Sequence, residues 1–215
     1  GAITNPTAQN TTFFARITTY SDAAWTTAVD SGVVAASTAQ QITLSGTMDE
    51  SLVFCTGTSI TGTNCGTIAG SAVNFGTFSS VTPNTGTSVM AASTNGTSGY
   101  AITVNGTTLT SGGNSITALT TQTASSAGTE QFGLNLRDNA TPNVGSNPSG
   151  SGGGSYSANY GTVDQFRFVT ADTVASSAGA TDANAFTVSY LANVGGATEA
   201  GTYTATMTYI ATATF

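Results

Sequence analysis

Few residues in this sequence can do covalent or acid–base chemistry. There is no histidine and no lysine, so the usual general bases, Schiff-base amines and catalytic triads are missing. Catalysis would have to rest on the ten carboxylates. Asp49 and Glu50 are adjacent and on a strand would point to opposite faces. Asp164, Asp172 and Asp182 are scattered among loop-forming residues, and no spacing singles out a glycosidase-type pair. The expectation is a protein that is not an enzyme and needs no cofactor. A calcium site could draw on Asp138, Asn139, Asp172 or Asp182 with loop carbonyls, but no spacing matches a known calcium loop, and no metal ligand is assigned. The two cysteines, Cys55 and Cys65, enclose T-G-T-S-I-T-G-T-N. That spacing does not fit a C-x-x-C metal or redox motif, and no histidine is available to complete a zinc site. A disulfide pinning a turn-rich loop is expected, contributing about 3 kcal/mol on the chain-entropy view and placing the chain in an oxidising, extracytoplasmic compartment.

Composition narrows the function further. Only 6 % of the 215 residues are charged, and the net charge is −7, so Thr, Ser, Asn and Gly must cover the surface, as in secreted proteins and fibres. Three arginines (Arg16, Arg137, Arg167) form no basic patch, which excludes nucleic acid and disfavours an anionic membrane surface. No stretch approaches about 18 consecutive apolar residues, so membrane insertion is not expected. Nothing at the start reads as a signal sequence, and in a secreted protein Gly1 would be a processed N-terminus. The 39 % hydrophobic content, patterned at period two, argues against disorder. Asn10, Asn95, Asn105 and Asn139 each open an N-x-T sequon and could carry sugar, although threonine is abundant enough to make such matches by chance. Asn95 and Asn105 are better explained as turn residues.

The element that organises the chain is the run from Gly201 to Phe215. Tyr203, Ala205, Met207, Tyr209, Ala211, Ala213 and Phe215 fall on one side of its alternation and threonines on the other, with Ile210 the exception. It reads as one long strand, covered on one face, that bends, changes sheet or continues past its domain. Residues 1–12 are polar and extended, with Pro6 barring a helix, and read as an arm. Phe13 to Tyr20 is a strand apolar on both sides; Trp25 to Val34 holds a second strand or a helical turn. Further strands are expected at Gln40–Ser45, Val73–Phe78 and Ala185–Val194. Residues 87–94 and 100–104, joined through Asn95-Gly96 and followed by Asn105-Gly106, read as a hairpin with tight turns. In Glu130–Arg137, Phe132, Leu134 and Leu136 should face inward, and Gln131, Asn135 and Arg137 outward. Asp138 to Gly161, with Pro142, Pro148 and a glycine run, is either a floppy tip or a contact loop ordered by a neighbour. These elements describe an all-β chain, a jelly-roll or Greek-key-like β-sandwich with an N-terminal arm at 1–12 and a single domain at 13–215.

The stretches F-F-A-R-I-T-T-Y, V-A-A-S-T-A-Q-Q-I-T-L-S-G-T-M-D-E-S-L-V-F-C-T-G, M-A-A-S-T-N-G-T-S-G-Y-A-I-T-V-N-G and G-T-Y-T-A-T-M-T-Y-I-A-T-A-T-F together resemble secreted β-sandwich surface proteins of candidate-phylum (Patescibacteria or Saccharibacteria-like) bacteria. That resemblance implies an exported, disulfide-containing β protein and carries no catalytic residue across. A second likeness is architectural, to donor-strand fibre subunits such as TasA-like proteins, archaeal bundling pilins and chaperone-usher pilins. The terminal strand looks like the last strand of a chaperone-usher pilin, with Thr214 where that family favours tyrosine. The apolar helix of type IV pilins is absent from the sequence, and without lysine no lysine–asparagine isopeptide bond is available.

The expected function is therefore a structural subunit of an extracellular, pilus-like filament, a homopolymer joined non-covalently by donor-strand complementation. The donor would span residues 2–17 with Ile3, Phe13, Ala15 and Ile17 as plugs; the acceptor would be Tyr203, Ala205, Met207, Tyr209 and Ala211. Two alternatives are a monomeric adhesin binding surface glycans through Trp25, Tyr100, Tyr156 and Tyr160, and an envelope lattice protein.

Overall fold

The structure is a computed structural model that describes residue 4 and residues 6–214. Alternating Thr and apolar residues, with glycine and asparagine at the breaks, give strands throughout the described residues and, among them, a single 3-10 turn (Ala158–Tyr160). The chain divides into two units, Gly1–Met48 and Asp49–Phe215. The division thus falls at residue 48, where the sequence places an arm boundary after residue 12. The physical reason is local pairing: β1 (Thr12–Tyr20) closes on β2 (Ala28–Ser37) before the chain reaches the sandwich.

In the first unit, β1 and β2 form a two-stranded antiparallel ladder. Phe13, Ala15 and Ile17 share one face with Ala36 and Val34; Phe14 and Arg16 share the other with Ala35 and Val33. Asp22 ties the connecting turn by accepting from the Thr26 N–H at 3.0 Å and the Thr27 N–H at 2.6 Å. Those two backbone donors hold its carboxyl down at about 2. A carboxylate depressed in this way supports the turn fully above its ordinary value of 3.8 and loses that support as pH falls through about 2. The sole tryptophan, Trp25, sits in this turn, so its fluorescence should shift between pH 4 and about 2, and Asp22→Asn should remove the shift. A wild-type signal flat across that window would contradict the assignment. Gln40–Ser45, read as a strand, is extended coil without a ladder, and Ile42 and Leu44 are exposed.

The second unit contains the remaining strands. β3 (Leu52–Gly57), β4 (Ser59–Thr61), β5 (Asn64–Ala69), β6 (Asn84–Thr94) and β7 (Tyr100–Gly106) come first. Short ladders follow: β8 (Thr110–Ser111), β9 (Asn114–Ser115), β10 (Thr123–Ala124), β11 (Gln131–Asn135), β12 (Asn139–Ala140), β13 (Asn143–Val144), β14 (Ser149–Gly150), β15 (Ser155–Tyr156) and β16 (Gln165–Phe166). The chain ends in β17 (Thr173–Ser177), β18 (Thr181–Asn193) and β19 (Met207–Ala213). One sheet runs β11-β18-β6-β3, with β14 also on β18; the other runs β15-β17-β7-β19. The core lies between them, with Met90, Phe186 and Val188 meeting Tyr100, Ile102 and Val104. This is an all-β sandwich.

Several local expectations change. The Asn95-Gly96 segment does not join a hairpin, because β6 and β7 belong to opposite sheets. Both strands face the same core, and alternation alone cannot distinguish a hairpin from an arch over that core. Asn95 holds the arch in place, accepting from the Ser51 N–H at 2.6 Å and donating to the Asp49 carbonyl at 2.9 Å. Gly106 closes β7, which pairs with β17 and β19, so Asn105-Gly106 is not a hairpin turn either. The terminal run is a strand only over Met207–Ala213, with a separate bridge from Thr204 to Thr110.

The outer face of the first sheet is also covered. β4 and β5 lie over Val89, Ala91 and Ala185, and the Cys55–Cys65 disulfide staples this flap to β3. Asp138–Gly161 packs as a strap, being neither a floppy tip nor a loop waiting for a neighbour. Arg137 anchors it, donating to the Tyr156 hydroxyl at 2.7 Å and the Gly161 carbonyl at 2.8 Å. Its guanidinium also stands 5.0 Å from the Tyr156 ring centre. A side chain at Gly154 would run into the Tyr100 hydroxyl, so the strap can approach only as glycine. Asn135 is buried against this strap and Gln131 against the 124–126 segment, where the alternation placed both outward.

Candidate functional site

β3 and β19 are the last strands of their sheets on the same side of the sandwich, and each pairs on one edge only among the described residues. Near them opens a cleft of about 1220 Å³. One wall is the start of the terminal run, where Tyr203, Ala205 and Met207 turn inward. The opposite wall is Val73, Phe75 and Phe78, half-buried against the core. The rings of Phe78 and Tyr203 meet edge to face at 6.2 Å. The floor is a chain of hydroxyls: Tyr190 lies 2.9 Å from Ser88 Oγ and 2.7 Å from the Tyr209 hydroxyl.

Burial keeps these phenols protonated. The Tyr209 pKa is pushed well above its ordinary 10 by loss of water and then by Tyr190, and burial raises Tyr190 as well. Burial alone takes Tyr100 up to about 12, and burial followed by Asp172 does the same for Tyr160. A phenol whose folded pKa is raised contributes stability that is complete below pH 10 and is lost as pH rises toward the folded value. The sandwich should therefore unfold between pH 10 and about 12, with phenolate absorbance at 295 nm rising together with loss of β circular dichroism. Phenolate appearing while the β signal stays native would contradict the burial.

All five acceptor residues, Tyr203, Ala205, Met207, Tyr209 and Ala211, lie on the inward side of the terminal run, with threonines outward. The donor residues Phe13, Ala15 and Ile17 lie together on one face of β1, already paired on one edge by β2. They are thus part of a hairpin and not of a bare arm; Ile3 lies outside the described residues. Of the sequons, Asn10 is exposed. Asn139 is 2 % exposed and its amide bonds to Asn135, the Arg137 carbonyl and the Val144 carbonyl, so in the folded protein it cannot carry sugar. Asn95 and Asn105 are half-buried. Of the four rings proposed for glycans, Tyr100 and Tyr160 are buried, Tyr156 lies under Arg137, and Trp25 is exposed. Asp172 is engaged by Arg167 at 2.9 Å and by the Tyr160 hydroxyl at 3.0 Å. Among the described residues no three acid, histidine or cysteine side chains gather as a metal site.

Sequence reading missed two parts of the cleft. Val73–Phe78, expected as a strand, forms no ladder, and its place as a cleft wall was not foreseen. Glu199 is the sole charged residue on the lining among the described residues. The available signal was Gly86, an interruption inside the otherwise continuous strand β6. No protein-family model, curated protein or solved structure matches this chain.

Proposed function

We propose that this protein is a structural subunit of an extracellular filament, assembled non-covalently when the hairpin of one molecule complements the sandwich of the next. The supporting observation is the β1–β2 ladder, which leaves apolar side chains in solvent on both faces: Phe14 is 70 % exposed, Ile17 64 % and Val34 60 %. An isolated two-stranded ladder is marginal in water, and strands apolar on both faces belong inside a larger sheet assembly. The free edge of β19 is a template for such pairing, and with few charges on the chain little guards it. Phe13, Ala15 and Ile17 supply the inward-facing residues an added strand needs. The disulfide and the lack of a long apolar helix among the described residues are compatible with an extracytoplasmic setting. The resemblance to secreted surface proteins fits the same reading.

Negative-stain imaging of native extracellular material tests it, with antibody against this chain as the label. Labelled filaments are expected. A labelled two-dimensional sheet would favour the lattice reading, and monomers that bind a glycan array would favour the adhesin.

A further inference from the structure

One wall of the cleft is a segment that belongs to no sheet. Residues 71–80 line it, with Val73, Phe75 and Phe78 turned toward the core. This segment begins with a strand's apolar alternation at Val73 and Phe75, shifts phase before Phe78, and has none of a strand's bonding: among the described residues no backbone group from 71 to 83 pairs with another backbone group. It is held by side chains. The Asn84 amide donates to the Phe75 carbonyl at 2.8 Å and to the Thr77 carbonyl at 3.0 Å. Val73 fits a notch where β6 has no side chain; a Cβ on Gly86 would collide with Val73 Cγ1 and stand 3.9 Å from Val73 Cβ. A segment that fills apolar space while leaving its backbone unpaired is an inferior substitute for a true strand, which would fill the same space and gain a ladder as well.

We propose that residues 71–80 are a displaceable plug, and that the strand replacing them is β1 of a second copy of this chain, steered by Arg16 toward Glu199. This rests on the filament reading above. The occupant is identified by charge as well as pattern. Among the described residues Glu199 is the sole charge on the cleft lining, and Glu130 lies nearby, its carboxylate accepting from the Thr198 hydroxyl at 2.6 Å. Both carboxylates bias the same spot, together raising the Tyr203 phenol after the effect of burial. Arg16 is the one charge on β1 and one of only three cations in the chain. Ile17, Ala15 and Phe13 supply apolar groups to replace Phe78, Phe75 and Val73, and Arg16 emerges on the opposite face, toward the rim.

The plug can be locked. The Gly86-to-Val73 Cβ spacing of 3.9 Å lies within the roughly 3.5–4.5 Å that a disulfide spans, so the full-length variant Val73→Cys/Gly86→Cys should close in oxidant. Two readouts are taken: binding of a synthetic peptide of residues 10–20, followed by amide protection along β19, and filament formation. The oxidised variant should do neither. After reduction it should match wild type given the same reductant, which controls for Cys55–Cys65. Peptide binding or filament growth by the oxidised form at the reduced rate would overturn the plug while leaving the filament reading standing. Redox-gated peptide binding without filaments would keep the plug and remove the filament reading. Independently, Glu199→Arg should weaken peptide binding about tenfold or more, and a peptide carrying Arg16→Glu should recover it. Equal binding across these pairs would overturn the assignment of Arg16 and Glu199.

Discussion

Removing residues 1–48 should abolish filaments while leaving a folded sandwich. All three apolar clusters of the second unit are built from its own residues, from Leu52 to Ala211. The truncated chain should therefore unfold cooperatively, with a midpoint within about 3 °C of the full-length monomer, the shift that ~1 kcal/mol produces at this size. Assembly should be lost completely, because the truncation removes the only strand proposed to complement β19. Mixing truncated with full-length chains should shorten filaments, since the truncated molecule accepts a strand and donates none. Filaments of normal length from the truncated chain alone would exclude the hairpin as the joining element. An unfolded product would show instead that the hairpin serves the stability of its own chain.

The second large effect concerns the scaffold. Replacing Asn135 by Ala should destabilise the sandwich by about 3 kcal/mol, because buried groups left without partners cost roughly 1–3 kcal/mol each. The Asn135 amide donates to Asn139 Oδ1 at 2.7 Å and to the Gln165 carbonyl at 3.0 Å. Its carbonyl in turn accepts from the Asn139 amide at 2.9 Å. Alanine removes both bonds to Asn139 and the one to the Gln165 carbonyl and opens a void beneath the strap, while Asn139 keeps the Asp164 N–H and the Arg137 and Val144 carbonyls. Against a typical total of about 5–15 kcal/mol, the loss should appear as a clear drop in the urea midpoint, with faster hydrogen exchange at 139–166. A midpoint shift worth less than about 1 kcal/mol would mean that water or a relaxed strap satisfies those groups.

Asn135 also marks where reading the sequence stops. Its position in the alternation of Glu130–Arg137 says outward, and on the strand it does face away from the central core. What alternation cannot say is that a second layer covers that side. The strap, the β4–β5 flap and the 124–126 segment cover the outer face of the first sheet, so Gln131, Asn135, Ser189 and Asn193 are interior polar groups that must find partners. The same limit explains Asn95-Gly96. The apolar period of β6 and β7 was legible, but a turn that joins neighbours in one sheet and an arch that joins two sheets bury the same residues. Tyr203, Ala205, Met207, Tyr209 and Ala211 were legible because a single period-two face decides them. Val73, Phe75 and Phe78 show the converse: Val73 and Phe75 alternate, Phe78 falls out of phase after Gly76 and Thr77, and the segment packs through its side chains without joining a ladder. The Cys55–Cys65 pairing was legible from exclusion of the other chemistries of cysteine.

The proposal stands or falls on what lies beside β19 in the assembled state. Helical reconstruction of the filament by electron cryomicroscopy should show a strand hydrogen-bonded along Met207–Ala213 that traces to residues 12–20 of the neighbouring subunit. Phe13, Ala15 and Ile17 should then occupy the cleft, with residues 71–80 displaced. A filament in which the β19 edge stays bare and residues 71–80 remain over Gly86 would contradict the account.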